Sequence, residues 1–292
     1  MLLLVKLTLA PLLVVGSSLA GRRWGHEVSG LLVALPLVAG PILLITTLQH
    51  GARFGARAAT ASLLGLVALA LFAVVFARAS QRRGWLVALL AGWLAFLIVA
   101  LAFSTIAIPA GIGLVLASAA YLLAPRAMPA APLEDPELAE LPAWDLPARA
   151  IATALLVLAL TGASAGLGSR VTGVLTPFPV STGVLAAFVL ALEGPVHASA
   201  VLRGFLRGAF GFVAFCFLVA VLLLPLGTPA AFALGLCAAL GAQLVVRRIT
   251  SRRVAPEAGA RISGSALAAT PRPTATTGAE ESLATGSSPR RP

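Results

Sequence analysis

The chain has 292 residues, 59% of them hydrophobic and only 11% charged, with a formal net charge of +11. A soluble domain carries about 25% charged residues, whereas here apolar runs of about 18 residues or more, enough to cross a ~30 Å hydrocarbon core as helices, recur along the whole length. A soluble globular protein is excluded, and the absence of period-2 alternation excludes a membrane barrel. The expected class is all-α, a polytopic bundle of transmembrane helices.

In chain order, residues 1–20 (MLLLVKLTLAPLLVVGSSLA) carry their only positive charge at Lys6, inside a long apolar run. That is unlike the charged start of a secretory signal, and the segment is read as helix 1. Apolar runs then predict helix 2 over about 29–48, helix 3 over 58–77, helix 4 over 85–103 and, after a break at Ser104–Pro109, helix 5 over 110–124. The stretch 125–147 is rich in Pro and acidic residues and cannot lie in hydrocarbon, so it is expected to be a polar loop with one helical turn near Pro136–Leu141. Helices 6 to 9 follow over about 148–167, 172–192, 205–225 and 228–246. From Ser251 to Pro292 no apolar period remains, which predicts a disordered tail.

Two stretches in this series are copies of each other. Val28–Gly51 (VSGLLVALPLVAGPILLITTLQHG) and Val171–Gly194 (VTGVLTPFPVSTGVLAAFVLALEG) align without a gap at an offset of 143. Gly30 falls on Gly173, Pro36 on Pro179, Gly40 on Gly183 and Gly51 on Gly194, and the register continues through Gly65/Gly208 and Phe72/Phe215. The organisation expected is nine transmembrane helices arranged 4 + 1 + 4: a first repeat over 1–104, a linking helix over 105–124, and a second repeat over 148–250.

Lys6 is the sole lysine, and the arginines stand between apolar runs, where they set topology and meet anionic headgroups rather than nucleic acid. The connections after helices 1, 3, 5, 7 and 9 hold thirteen Arg, including Arg22, Arg23, Arg126 and Arg149, against Lys6, Arg53, Arg57 and Arg170 on the other side. By the positive-inside rule the N-terminus is outside and the C-terminus cytoplasmic, with Trp24, Trp85 and Trp144 near the cytoplasmic boundary. An odd number of crossings then precedes the second copy, and the two repeats are inserted in opposite directions.

Proline inside a membrane span removes a donor and frees a carbonyl one turn earlier. Helix 2 carries Pro36 and Pro41 and helix 7 carries Pro177 and Pro179; Thr176, Ser181 and Thr182 can satisfy the freed groups in one, Thr46 and Thr47 in the other. Interrupted helices at equivalent places in inverted halves point to a transport site; a packing kink is the alternative. At the ends of these helices stand His50 and Glu193, in equivalent positions, with His197 just beyond. Either they are interfacial caps, or they are protonatable groups at the mouths of a pathway. The substrate-pathway set is therefore Pro36, Pro179, Thr176, Ser181, Thr182, His50, Glu193 and His197. Cys216 and Cys237 lie inside apolar spans, and no His cluster at metal spacing, catalytic triad or phosphate-binding loop is present in the sequence. Neither a metal, a cofactor nor an enzymatic activity is expected.

The segment TGVLTPFPVSTGVLAAFVLALEGPVHASAVLRGFLRG, with its Phe178-Pro179 pair, its span closing on Glu193-Gly194 and its small-residue helix with Gly208, resembles the small GlpM-like inner-membrane proteins and related four-helix families of unknown function. The first half matches more loosely through Gly30, Leu35-Pro36 and His50-Gly51. The resemblance implies a bacterial inner-membrane location and supplies no substrate. The functional expectation is a small permease or channel passing a small solute or ion between the halves; the alternative is a membrane scaffold or accessory subunit.

Overall fold

The computed structural model describes residues 2–130, 142–163 and 169–268, and among these every regular element is a helix. The helices are α1 (Leu2–Trp24), α2 (His26–Val33), α3 (Ala39–His50), α4 (Ala52–Ala79), α5 (Trp85–Ser104), α6 (Ala110–Ala127), α7 (Asp145–Ala163), α8 (Ser169–Leu175), α9 (Val180–Glu193) and α10 (Pro195–Ala268). The chain forms two compact units, Met1–Arg248 and Ile249–Pro292. In the second unit the backbone is helical through Ala268, within the stretch expected to be a disordered tail. The helical turn expected near Pro136–Leu141 lies outside the described residues.

Both proline-bearing spans are broken. Between α2 and α3 the chain turns at 34–38, where Ala34 N–H still reaches Gly30 O (3.2 Å) and Gly40 N–H reaches Pro36 O (2.8 Å). Between α8 and α9 it turns at 176–179, and Pro179 stands at the N-cap of α9. There Thr176 Oγ1 donates to Thr172 O (2.7 Å), a carbonyl that also accepts from Thr176 N–H, rather than to a carbonyl freed by Pro177 or Pro179, and Ser181 Oγ is buried without a hydrogen bond among the described residues. Thr46 and Thr47 do not serve the break. They back-bond to Ile42 and Leu43 within α3, nearly two turns beyond Pro36.

The elements recur 143 residues on: α1, α2 and α4 begin at 2, 26 and 52, and α7, α8 and α10 at 145, 169 and 195. The tertiary contacts recur with the halves exchanged. Gly30 of α2 lies against the Val201 carbonyl of α10, and Gly173 of α8 lies against the Ala58 carbonyl of α4; a methyl group would sit 1.8 and 2.3 Å from those oxygens. Gly65 faces Val174 O as Gly208 faces Leu31 O. Phe215 covers Gly40 and Gly235 as Phe72 covers Gly183 and Gly92. Gly30, Gly173, Gly65 and Gly208 stand where two helix backbones touch, an arrangement favoured where lipid removes the hydrophobic drive between helices, whereas the other four make room for the phenylalanine rings. Ser62 Oγ shares its proton between Ala58 O and Gly173 O, both at 2.9 Å, stitching α4 to α8. Gly51 and Gly194 make the equivalent sharp turns, with φ of 87° and 94° and extended ψ, a region essentially closed to other residues.

The helix α10 breaks at Gly227 (φ 77°, ψ 170°), and its arms fold back on each other, bringing Gly211 against Ala239 O and Gly235 against Phe215. The linking helix α6 sets Gly113 on Leu63 of one repeat and Tyr121 edge-on to Phe205 of the other.

Among the described residues, five segments are long and apolar enough to cross a membrane: Ala52–Ala79, Trp85–Ser104, Ala110–Ala127, Arg170–Glu193 and Pro195–Val245. The chain is thus an all-helical protein with the helices of a membrane protein. Nine separate spans are not reached by this count, because α1 and α7 are not among the five segments, α2 and α3 are each short, and the two arms of α10 on either side of Gly227 count as one segment. Leu86, Leu90, Leu94, Ile98 and Leu101 leave one face of α5 exposed and apolar, as lipid contact requires. Trp24, Trp85 and Trp144 are all exposed.

Candidate functional site

A charged cluster is buried where the C-terminal ends of α1 and α9 meet the N-terminal ends of α2, α7 and α10. It begins with Asp145 in the first turn of α7, where the helix dipole favours a carboxylate. One turn on, Arg149 Nε donates to Asp145 Oδ1 (2.7 Å), and from α1 Arg22 Nη2 donates to Oδ2 (2.7 Å). Arg149 Nη1 also donates to Ser18 Oγ (3.1 Å), whose own proton goes to Val14 O (2.7 Å). The pairs Arg22–Asp145 and Ser18–Arg149 run in opposite senses along the chain, so α1 and α7 are antiparallel.

Glu193 closes α9, and its carboxylate lies at the negative end of that helix, an unfavourable place for a second negative charge. Partners compensate. Its Oε2 lies 2.7 Å from His26 Nε2, and its Oε1 lies 3.8 Å from Arg149 Nη2. The φ of 94° at Gly194 turns the chain so that His197, in the first turn of α10, directs Nδ1 to the Glu193 carbonyl at 2.9 Å. A carbonyl only accepts, so Nδ1 carries the hydrogen, and in the neutral ring Nε2 keeps the lone pair. The rings of His26 and His197 meet edge to face with centroids 4.5 Å apart. The Arg149 guanidinium lies over the Phe188 ring, 5.6 Å from its centroid.

The side chains of Asp145, Arg149 and Glu193 are 0%, 2% and 3% exposed. Desolvation costs several kcal/mol per ion, so the group persists because two guanidiniums balance two carboxylates. A crevice about the size of a single water enters it, lined by Ser18, Arg22, His26, Ser29, Arg149 and Glu193. Two buried polar atoms on its wall, Arg149 Nη2 and Ser29 Oγ, make no hydrogen bond among the described residues.

Of the anticipated residues, Glu193 and His197 belong to this cluster. His50 does not: it is exposed, turned to Thr46 O (3.2 Å) and stacked on Phe54. Pro36 and Pro179 are buried at the two breaks, Ser181 and Thr182 are buried on α9, and Thr176 is half-buried at the second break. Two readings need correction. Glu193 is not a solvated cap, since its side chain is 3% exposed. Nor are histidines without a cluster: donor atoms of His26, Glu193 and His197 lie within 4.8 Å of one another. Sequence spacing missed this because the three come together only through the turns at Gly25 and Gly194.

The cluster also breaks the repeat. At an offset of 143 from Asp145, Arg149 and His197 stand Leu2, Lys6 and Phe54. The fold is duplicated; this chemistry is not. Comparisons with protein-family models, with curated proteins and with solved structures find no match to this chain.

Proposed function

We propose that the chain is a small permease or channel of the bacterial inner membrane that passes a small solute or ion along the interface of two oppositely inserted repeats. The carrying observation is the cluster of Glu193, His26, Arg149 and Asp145, buried beside a broken span and open to a water-sized crevice. Ionisable residues are costly inside a membrane protein and mark ion pathways and proton relays. Counting α2 with α3 and α8 with α9 as broken spans, and the two arms of α10 as a hairpin, nine crossings result in the order 4 + 1 + 4. The antiparallel pairing of α1 with α7 supports the opposite insertion, and the arginine bias supports an N-terminus outside and a C-terminus inside. On this orientation the cluster lies at the cytoplasmic mouth.

The aromatic filling of the rest of the seam favours a second reading, a membrane scaffold. Phe178 at the α8–α9 break packs between Trp93 and Phe96, with ring centroids 5.7 and 5.3 Å away, and Phe72 and Phe215 seal Gly183 and Gly40. Recording currents from proteoliposomes on a solid support as protons and small ions are applied, together with the light-scattering recovery of the same vesicles after an osmotic step with neutral solutes, separates the two. Transport gives a protein-dependent signal for at least one of these ions or solutes. Vesicles as tight as protein-free ones to all of them leave the scaffold.

A further inference from the structure

We propose that His26, Glu193 and His197 form a binding site for a first-row transition-metal dication of the zinc type, with a fourth position open to water or a small anion. The donor set is two imidazoles and one carboxylate, the composition of three-ligand zinc sites that keep an open position. Two of the chain's three histidines stand within 4.8 Å of one buried glutamate oxygen and of each other. In a tetrahedral site with bonds near 2.0–2.2 Å, ligand atoms stand about 3.4 Å apart. Here His26 Nε2 and Glu193 Oε2 are at 2.7 Å, so the ion widens that edge and draws in His197.

The second layer is already built. The Glu193 carbonyl holds His197 Nδ1–H, leaving Nε2 as the donor atom, which is how proteins orient metal-binding imidazoles. Arg149 approaches the other carboxylate oxygen, Oε1, and its charge is taken up by Asp145 at 2.7 Å. Arg22 and Arg149 balance Asp145 and Glu193, so a dication brings the cluster to a net charge of two. That surplus calls for an anionic fourth ligand. The crevice beside Glu193 offers the place for one: it holds about one water, and Arg149 Nη2 and Ser29 Oγ on its wall have hydrogen-bonding capacity to spare. Metal takes the place of the hydrogen between His26 Nε2 and Glu193 Oε2, and the neutral His26 ring carries that hydrogen on Nδ1 instead. The site requires no transport activity, and a failure of either proposal leaves the other standing.

The test uses Co²⁺ as the probe on the full chain, purified in detergent through an affinity tag free of histidine. One Co²⁺ per chain is expected, with the visible bands of a four- or five-coordinate nitrogen and oxygen site. Glu193→Gln and His197→Gln weaken binding by at least about tenfold, whereas His50→Gln, altering the exposed histidine, leaves it unchanged. Absence of saturable binding by the unaltered chain overturns the site. So does affinity that survives both substitutions, or that disappears with His50→Gln. If either glutamine variant is not monodisperse, His197→Cys provides a gain-of-signal measurement: a sulfur-to-cobalt charge-transfer band supports the site, and bound Co²⁺ without that band overturns it.

Discussion

The exchanged glycine contacts can be tested with a methyl group. In Gly30→Ala the new carbon would lie 1.8 Å from Val201 O, and in Gly173→Ala 2.3 Å from Ala58 O. An ordinary carbon–oxygen contact is about 3.3 Å or more, so the backbones must part by about 1.5 Å and 1.0 Å. Neither oxygen belongs to a flexible side chain that could swing aside. Overpacking costs about 1–3 kcal/mol, and the upper end applies at Gly30; the helical preference of Ala over Gly returns about 1 kcal/mol. The net loss at Gly30 is about 2 kcal/mol, which in a chain of this size lowers the melting temperature by about 4–8 °C. Gly16, Gly111 and Gly241 are the controls, because nothing lies within 4 Å of a methyl group there. Alanine at those positions is neutral or stabilising by up to about 1 kcal/mol. Intrinsic tryptophan fluorescence during heating in detergent reads the difference. Gly30→Ala and Gly173→Ala melting with the controls would refute the close approach of α2 to α10 and of α8 to α4.

Further outcomes follow from the same contacts. Asp145→Asn leaves Arg149, 2% exposed, without its carboxylate, and breaking a buried pair costs about 3–5 kcal/mol; adding Arg149→Gln recovers most of it, and a double variant no better than Asp145→Asn would show that the pair is not coupled. A cytoplasm-active reporter fused after Arg253 is active and one placed between Leu48 and Ala58 is silent; the reverse pattern removes the proposed orientation. Deleting the chain after Val254 leaves the melting of the first compact unit unchanged within error, and a clear loss of folded protein would show that the second unit supports the first.

Much of the fold was legible because the repeat is written in glycines, and glycine is required where backbones touch. Gly30, Gly173, Gly65 and Gly208 aligned at the offset of 143 because each faces a carbonyl of the other half. The broken spans were legible from Pro36 and Pro179, since a proline in the middle of a span removes an N–H from the helical ladder and crowds the preceding turn. The site was legible only at Glu193 and His197. Arg22 and Arg149 were counted as connection charges, whereas both lie on helices and turn into the cluster. Asp145 was assigned to the polar loop, although its spacing of four from Arg149 at the start of an apolar run is the signature of an intrahelical ion pair. His26 carried no local signal. Its pairing with Glu193, 167 residues away, exists only because α1 and α2 fold back at Gly25.

The central claim, that the buried cluster is the working part of a transport pathway, is tested most directly at Glu193. The measurement is flux into proteoliposomes as a function of pH, for the unaltered chain and for Glu193→Gln at matched protein levels, with the solute or ion that gives the protein-dependent signal. Glu193→Gln keeps the side chain's size and removes the charge that faces His26 and Arg149. The expected result is that pH-dependent flux is abolished while the variant remains folded and inserted. Superimposable flux profiles would contradict it and leave the cluster as a structural clasp between α1, α7 and α9.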